Sequence, residues 1–113
     1  MGGNARDLSG LPGAVTRTAR IDPNGEVAWP RASTPQAIYA LTAKGCIVLG
    51  LDLRRYDANG GVLEAPWSSF EPSDDDPDPL ASSRDAALEA LRRADSEDLD
   101  DLDWVLVTWS TQE

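Results

Sequence analysis

The chain has 113 residues, enough for one domain with a single modest core that buries roughly two thirds of the unfolded chain's surface. Hydrophobic residues make up 41% and charged residues 27%, which excludes a wholly disordered chain; with no histidine and Cys46 as the single cysteine, an internal disulfide and a Cys–His nucleophile are excluded too. The formal net charge is −10, and all of it lies between Glu71 and Asp103, where thirteen carboxylates meet three arginines, a polarity that argues against nucleic acid as a partner.

Residues 1–13 are rich in glycine and small polar residues, and a loosely ordered N-terminal segment is expected ahead of one domain over 14–113. The start, Met1-Gly2-Gly3-Asn4-Ala5-Arg6-Asp7, lacks the apolar core of a signal peptide, and no run is long enough to span a bilayer. A cytoplasmic protein with no membrane contact is expected. Val15 to Ile21 alternates in polarity and predicts an edge strand. Asp22-Pro23-Asn24-Gly25 is turn chemistry, and with Glu26-Val27-Ala28-Trp29 after it a first β-hairpin is predicted.

Thr34-Pro35 reads as a helix start, the hydroxyl capping an orphan amide and the proline sitting where no N–H is needed. That helix is expected to end at Lys44 before Gly45, with Ala37, Ile38, Leu41 and either Ala40 or Ala43 forming its apolar stripe. Cys46 to Leu53 is the most hydrophobic run and is expected to be the central strand, with Cys46 a small buried hydrophobe. A turn at Asp57-Ala58-Asn59-Gly60-Gly61 and a short strand from Val62, ended by Pro66, complete a second hairpin.

Residues 68–79 are dominated by proline, serine and aspartate and predict an exposed loop. A second helix is expected from Ser82 or Ser83, burying Ala86, Ala87, Leu88, Leu91 and Ala94, with Arg92 and Arg93 at its end. Asp95 to Asp103 reads as a solvated connection, and Trp104 to Trp109 as a buried, inner strand. The order β-β-α-β-β-α-β predicts an α+β fold, a mostly antiparallel sheet of about five strands with two helices on one face.

Without histidine, chemistry would fall to carboxylates. Asp74, Asp75, Asp76 and Asp78 could hold a hard cation such as calcium, although a solvated acidic loop is the simpler reading. Asp57 and Asn59 with Glu64 approach a calcium-loop spacing but lack its other acidic positions, and an ordinary turn fits better. Asp52 and Glu64 could form a carboxylate pair of the glycosidase type across neighbouring strands, but the sequence does not set their separation, and a solubilising role is preferred. Trp104 and Trp109, five apart, must face opposite sides of a strand, so one of them is free to lie exposed. Trp67 and Phe70 stand directly before the acidic loop, the makeup of a protein-binding patch with aromatic anchors and a charged rim.

The helix end Ala43-Lys44-Gly45, the strand close Leu49-Gly50-Leu51-Asp52, the hairpin with Tyr56-Asp57 and Gly60-Gly61, Trp67, Ala86-Ala87 and the final apolar strand together resemble a family of bacterial immunity proteins, immunity protein family forty. The likeness covers roughly residues 33–109; the leading hairpin and the acidic loop do not map onto the family pattern. The resemblance implies a small, non-enzymatic intracellular protein that neutralises the toxin encoded beside it, with no cofactor or metal. Charge favours a basic toxin domain, such as a nuclease, met by Trp67, Phe70, Glu71, Asp74, Asp75, Asp76 and Asp78 together with Asp98, Asp100 and Asp101. Two other readings stand beside it, a structural or accessory domain that self-associates and a weak calcium-binding domain; a homodimer is compatible with the inhibitor reading as well.

Overall fold

A computed structural model describes residues 8, 10–22, 25–59, 61–97 and 102–111. The elements run α1 (Gly13–Thr18), β1 (Arg20–Ile21), β2 (Val27–Pro30), α2 (Thr34–Lys44), β3 (Cys46–Tyr56), β4 (Val62–Ser69), α3 (Pro79–Asp95) and β5 (Trp104–Thr111). All five strands form one antiparallel sheet in the order β1-β2-β5-β3-β4, so the fold is α+β as the sequence predicts. The middle position belongs to β5 rather than to the hydrophobic run of β3.

The helices share one face of the sheet. Trp29, Val105, Val107 and Trp109 on β2 and β5 and Val48, Leu51 and Leu53 on β3 meet Ala37, Ile38 and Leu41 of α2 and Ala87, Ala90, Leu91 and Ala94 of α3. Trp29 is fully buried, its ring 6.0 Å from that of Trp109, and its Nε1–H donates to the Val15 carbonyl. Burying each large side chain here stabilises the fold by about 1.5–3 kcal/mol. Small residues at 83, 87, 90 and 94 bring α3 close to the sheet, and the fully buried Ser83 hydroxyl accepts the Val48 N–H beside the irregularity between Val48 and Gly50. Cys46 is fully buried, opposite Thr111 in the register of β3 with β5.

Several local expectations are corrected. The predicted edge strand over Val15–Ile21 is instead α1 followed by a two-residue strand; the helical turn buries Val15, and its carbonyl accepts the Trp29 Nε1–H. The first hairpin survives in shortened form, with Arg20 opposite Ala28 and Ile21 opposite Val27. Thr34 does not cap α2; a turn of 3-10 helix over Arg31–Ser33 precedes it, and the buried Thr34 hydroxyl donates back to the Pro30 carbonyl. Pro66 does not end β4, since an edge strand can carry a proline whose missing N–H would face outward. Helix α3 begins at Pro79, earlier than Ser82, with the Asp78 side chain accepting the Ala81 N–H as its cap. Of the predicted buried side chains of α3, Ala86 and Leu88 are only half-buried and Ser83 and Ala90 take the inner positions.

Helix α2 ends where expected. Gly45 adopts φ 93°, and its N–H closes the helix on the Leu41 and Thr42 carbonyls. A Cβ at this position would meet nothing within 4 Å, so substitution tests the backbone alone. Gly45→Ala is expected to lower unfolding free energy by about 1 kcal/mol, a drop of about 4–6 °C in Tm by thermal melting; an unchanged Tm would remove the left-handed cap from the account.

Candidate functional site

With the helices on one side, the other face of the sheet has no helix packed on it among the described residues, and it collects charge around one arginine. Strand β3 keeps its alternation past Leu53, so Arg54 and Tyr56 emerge on this open face with Asp52. The turn between β1 and β2 brings Asp22 and Glu26, β4 brings Glu64 opposite Arg54, and β5 brings Trp104 opposite Arg54 on its other side. The Arg54 guanidinium donates to Asp22 Oδ2 at 2.6 Å, Glu26 Oε1 at 2.9 Å, Glu64 Oε1 at 3.0 Å and the Tyr56 hydroxyl at 3.2 Å. Its side chain is 7% exposed, so the fork is desolvated and held in one geometry. Arg20 lies over the Tyr56 ring at 3.8 Å and reaches toward Asp22 at 3.7 Å, while Tyr56 packs edge-on to Trp104 with centroids 5.5 Å apart.

Burial opposes the Arg54 charge, but hydrogen bonds with Tyr56 and Glu26 and the nearby Glu64 carboxylate outweigh it and hold the guanidinium above its ordinary pKa. Asp52 is shifted the other way for a carboxylate: burial first, then the charge of Glu64 and a hydrogen bond with it, raise its pKa, and Arg54 only partly offsets them. Asp52 and Glu64 thus do come together across β3 and β4. Beside this pair, at the irregularity of β4, an open depression of about 300 Å³ is lined by Asp52, Pro66, Trp67, Ser68 and Ser69.

The residues proposed from the sequence for partner binding divide into two groups. Trp67 and Phe70 sit on the helix side. Trp67 is half-buried, its Nε1–H donates to the Ala90 carbonyl at 2.7 Å and Arg93 lies 5.8 Å from its ring; Phe70 lines a small void with Ser83, Ala86 and Ala87 of α3. Both rings join β4 to α3. In the acidic loop Glu71, Asp74 and Asp75 are exposed. Asp78 caps α3, and Asp76 accepts the Asp78 N–H. The Ser82 hydroxyl and that N–H hold the Asp76 carboxyl below the usual carboxylate range. Asp98, Asp100 and Asp101 lie outside the described residues.

Sequence reasoning missed the cluster on Arg54, since Asp22 reads as a turn residue, Glu26 as the start of the strand after it, and the central strand as ending at Leu53. The usable signal was parity: Asp52, Arg54 and Tyr56 alternate with Leu51 and Leu53, an alternation that a strand ending at Leu53 would not need. Asp57, weighed for calcium, instead accepts the Asn59 and Gly61 N–H groups in its own turn. Among the described residues no group of three or more His, Cys, Asp or Glu is placed to hold a metal ion. Comparison with protein-family models, with curated proteins and with solved structures finds no match.

Removing the guanidinium would leave three carboxylates facing one another. Arg54→Ala is expected to cost about 2–4 kcal/mol in urea unfolding, less than for a fully buried network because Glu26 and Glu64 keep about a third of their exposure, and Arg54→Lys should recover only part of it because one ammonium cannot serve three acceptors in that fork. Asp52 tests the opposite sign. Its raised pKa means that its contribution to stability is present below the ordinary carboxylate range and is lost as pH rises through the raised value. Asp52→Asn is therefore expected to raise Tm near pH 7 by about 2 °C, on the order of 0.5 kcal/mol after solvent screening, with the gain disappearing below about pH 4 in a series of thermal melts; a gain that persists in acid would contradict the assignment.

Proposed function

We propose that this chain is a non-enzymatic inhibitor, an immunity protein that binds a basic toxin domain and occludes it with its acidic side. The observation that carries the reading is the division of labour within the acidic loop. Asp76 and Asp78 hold the start of α3, so the loop has a defined base, while Glu71, Asp74 and Asp75 project from it exposed and are not drawn into capping. Placed in the segment that contains the whole net charge of the chain, these three carboxylates form a fixed anionic surface. Such a surface accelerates encounter with a cationic partner and disfavours anionic ones, which is what an inhibitor of a basic active site requires. The resemblance to immunity protein family forty supports the same reading, and the open sheet face, with its aromatic and charged side chains, is available as additional contact area.

Pull-down of the tagged protein from its native lysate at moderate salt, with release at high salt, is expected to recover a basic toxin domain encoded beside it; recovery of the chain alone would favour the self-associating module. With that partner in hand, the triple reversal Glu71→Lys, Asp74→Lys and Asp75→Lys is expected to slow association at least about tenfold at low salt and leave Tm within about 2 °C. Asp78→Ala should do the reverse, costing about 1 kcal/mol of stability with little effect on the association rate. An unchanged on-rate in the triple variant would rule the loop out as the docking surface.

A further inference from the structure

The two ends of the sheet are unlike. On one side β1 offers two residues, whereas on the other β4 is eight residues long and, among the described residues, pairs with β3 alone. Its outward backbone groups can be identified from chemistry. Pro66 lies opposite Asp52 and has no N–H to give the ladder, so that pair is a non-hydrogen-bonded one. Alternation by two extends the phase to Glu64 opposite Arg54 and Val62 opposite Tyr56, and the bond from the Asp57 N–H to the Gly61 carbonyl, which closes the hairpin, requires the same phase. In such pairs the peptide groups turn away from the neighbouring strand. Val62 and Glu64 therefore present N–H and C=O, and Pro66 its C=O, along the outer edge.

Two apolar side chains on this edge are exposed as well. Val62 is 52% exposed on the open face and Leu63 is 51% exposed on the helix side, beyond the reach of α3. Glu64 and Asp52 stand together on the open face, one strand apart, with more negative charge than Arg54 neutralises once Asp22 and Glu26 are counted. Beyond Ala65 the edge becomes unsuitable, because Pro66 lacks a donor and the register shifts between Leu51 and Asp52.

We propose that residues 62–65 of β4 accept an extended segment of a basic protein partner as a sixth strand, its side chains alternating between Lys or Arg over Glu64 and Asp52 and apolar residues over Leu63 and Ala65. The proposal rests on the reading of the partner as a basic protein. Charge decides against a second copy of this chain: two β4 edges pairing antiparallel would bring Glu64 and Asp52 of each against those of the other, in chains of net charge −10. A basic strand instead relieves the crowding of Asp52 and Glu64 while its backbone satisfies the open groups of Val62 and Glu64.

The test uses the full chain, labelled with nitrogen-15, and two synthetic hexapeptides, Val-Lys-Val-Lys-Val-Lys and Val-Glu-Val-Glu-Val-Glu. With excess lysine peptide the Val62 and Glu64 amides are expected to shift and their hydrogen exchange to slow by about tenfold, with no response to the glutamate peptide. Val62→Pro removes an outward N–H without touching the ladder and should abolish the response while leaving the rest of the spectrum in place. The lysine peptide N-methylated along one edge should lose the effect on the unaltered protein too. Equal responses to both peptides would overturn the charge selection. Shifts confined to residues 71–75 would overturn the edge while favouring the acidic loop as the docking surface, and shifts at β4 alone would support the edge and count against that loop. A mass that rises with concentration in sedimentation and falls back in Val62→Pro would overturn the choice of occupant in favour of a second copy.

Discussion

Because β5 lies between β2 and β3, every ladder that joins the first hairpin to the rest of the sheet runs through residues 104–111. Trp29 depends on it most directly: its neighbour in the register is Val105, and its ring rests against Trp109. Without β5 the hairpin of β1 and β2 lacks its neighbouring strand, and isolated two-stranded hairpins are marginal in water. The Arg54 fork then ties the same two halves together on the opposite face, drawing Asp22 and Glu26 from the hairpin turn onto β3 and β4. One strand and one guanidinium thus join residues far apart in the chain, an arrangement whose loop-closure entropy must be met before its contacts form.

The parts of this fold that could be read in the sequence are those decided locally. Gly45 after Lys44, the Asp57 to Gly61 turn and the apolar run from Cys46 each carry their own stereochemical reason, and each element stands where that reason puts it. The resolution failed where tertiary context chose between two local options. Val15 to Thr18 alternates well enough for a strand, yet the segment coils, and its Val15 carbonyl accepts from the Trp29 indole fourteen residues away. Likewise the position of β5 in the middle of the sheet follows from pairing partners on both sides, which no property of residues 104–111 taken alone reveals.

The candidate site shows the same division. Charge density around residues 71–78 was plain from composition, but which carboxylates hold the helix and which project from it follows from the Asp78-Pro79 helix start, which moves α3 three residues earlier than its serines suggest. The cluster on Arg54 was hidden for a different reason. Asp22, Glu26, Arg54 and Glu64 are spread over more than forty positions of the sequence, and only the strand register makes them neighbours. A face that is open and also internally neutralised in part is suited to recognition, because its side chains are already ordered before a partner arrives and less conformational entropy is lost on binding.

The position of Cys46 has a practical consequence. As the single thiol of the chain, fully buried in the core at the start of β3, it can react with an alkylating reagent only when the packing around it opens. The rate of labelling at this one sulfur therefore follows the opening of the core between the sheet and its helices. The chain carries its own clock for that motion, with no engineered probe and no background from a second site.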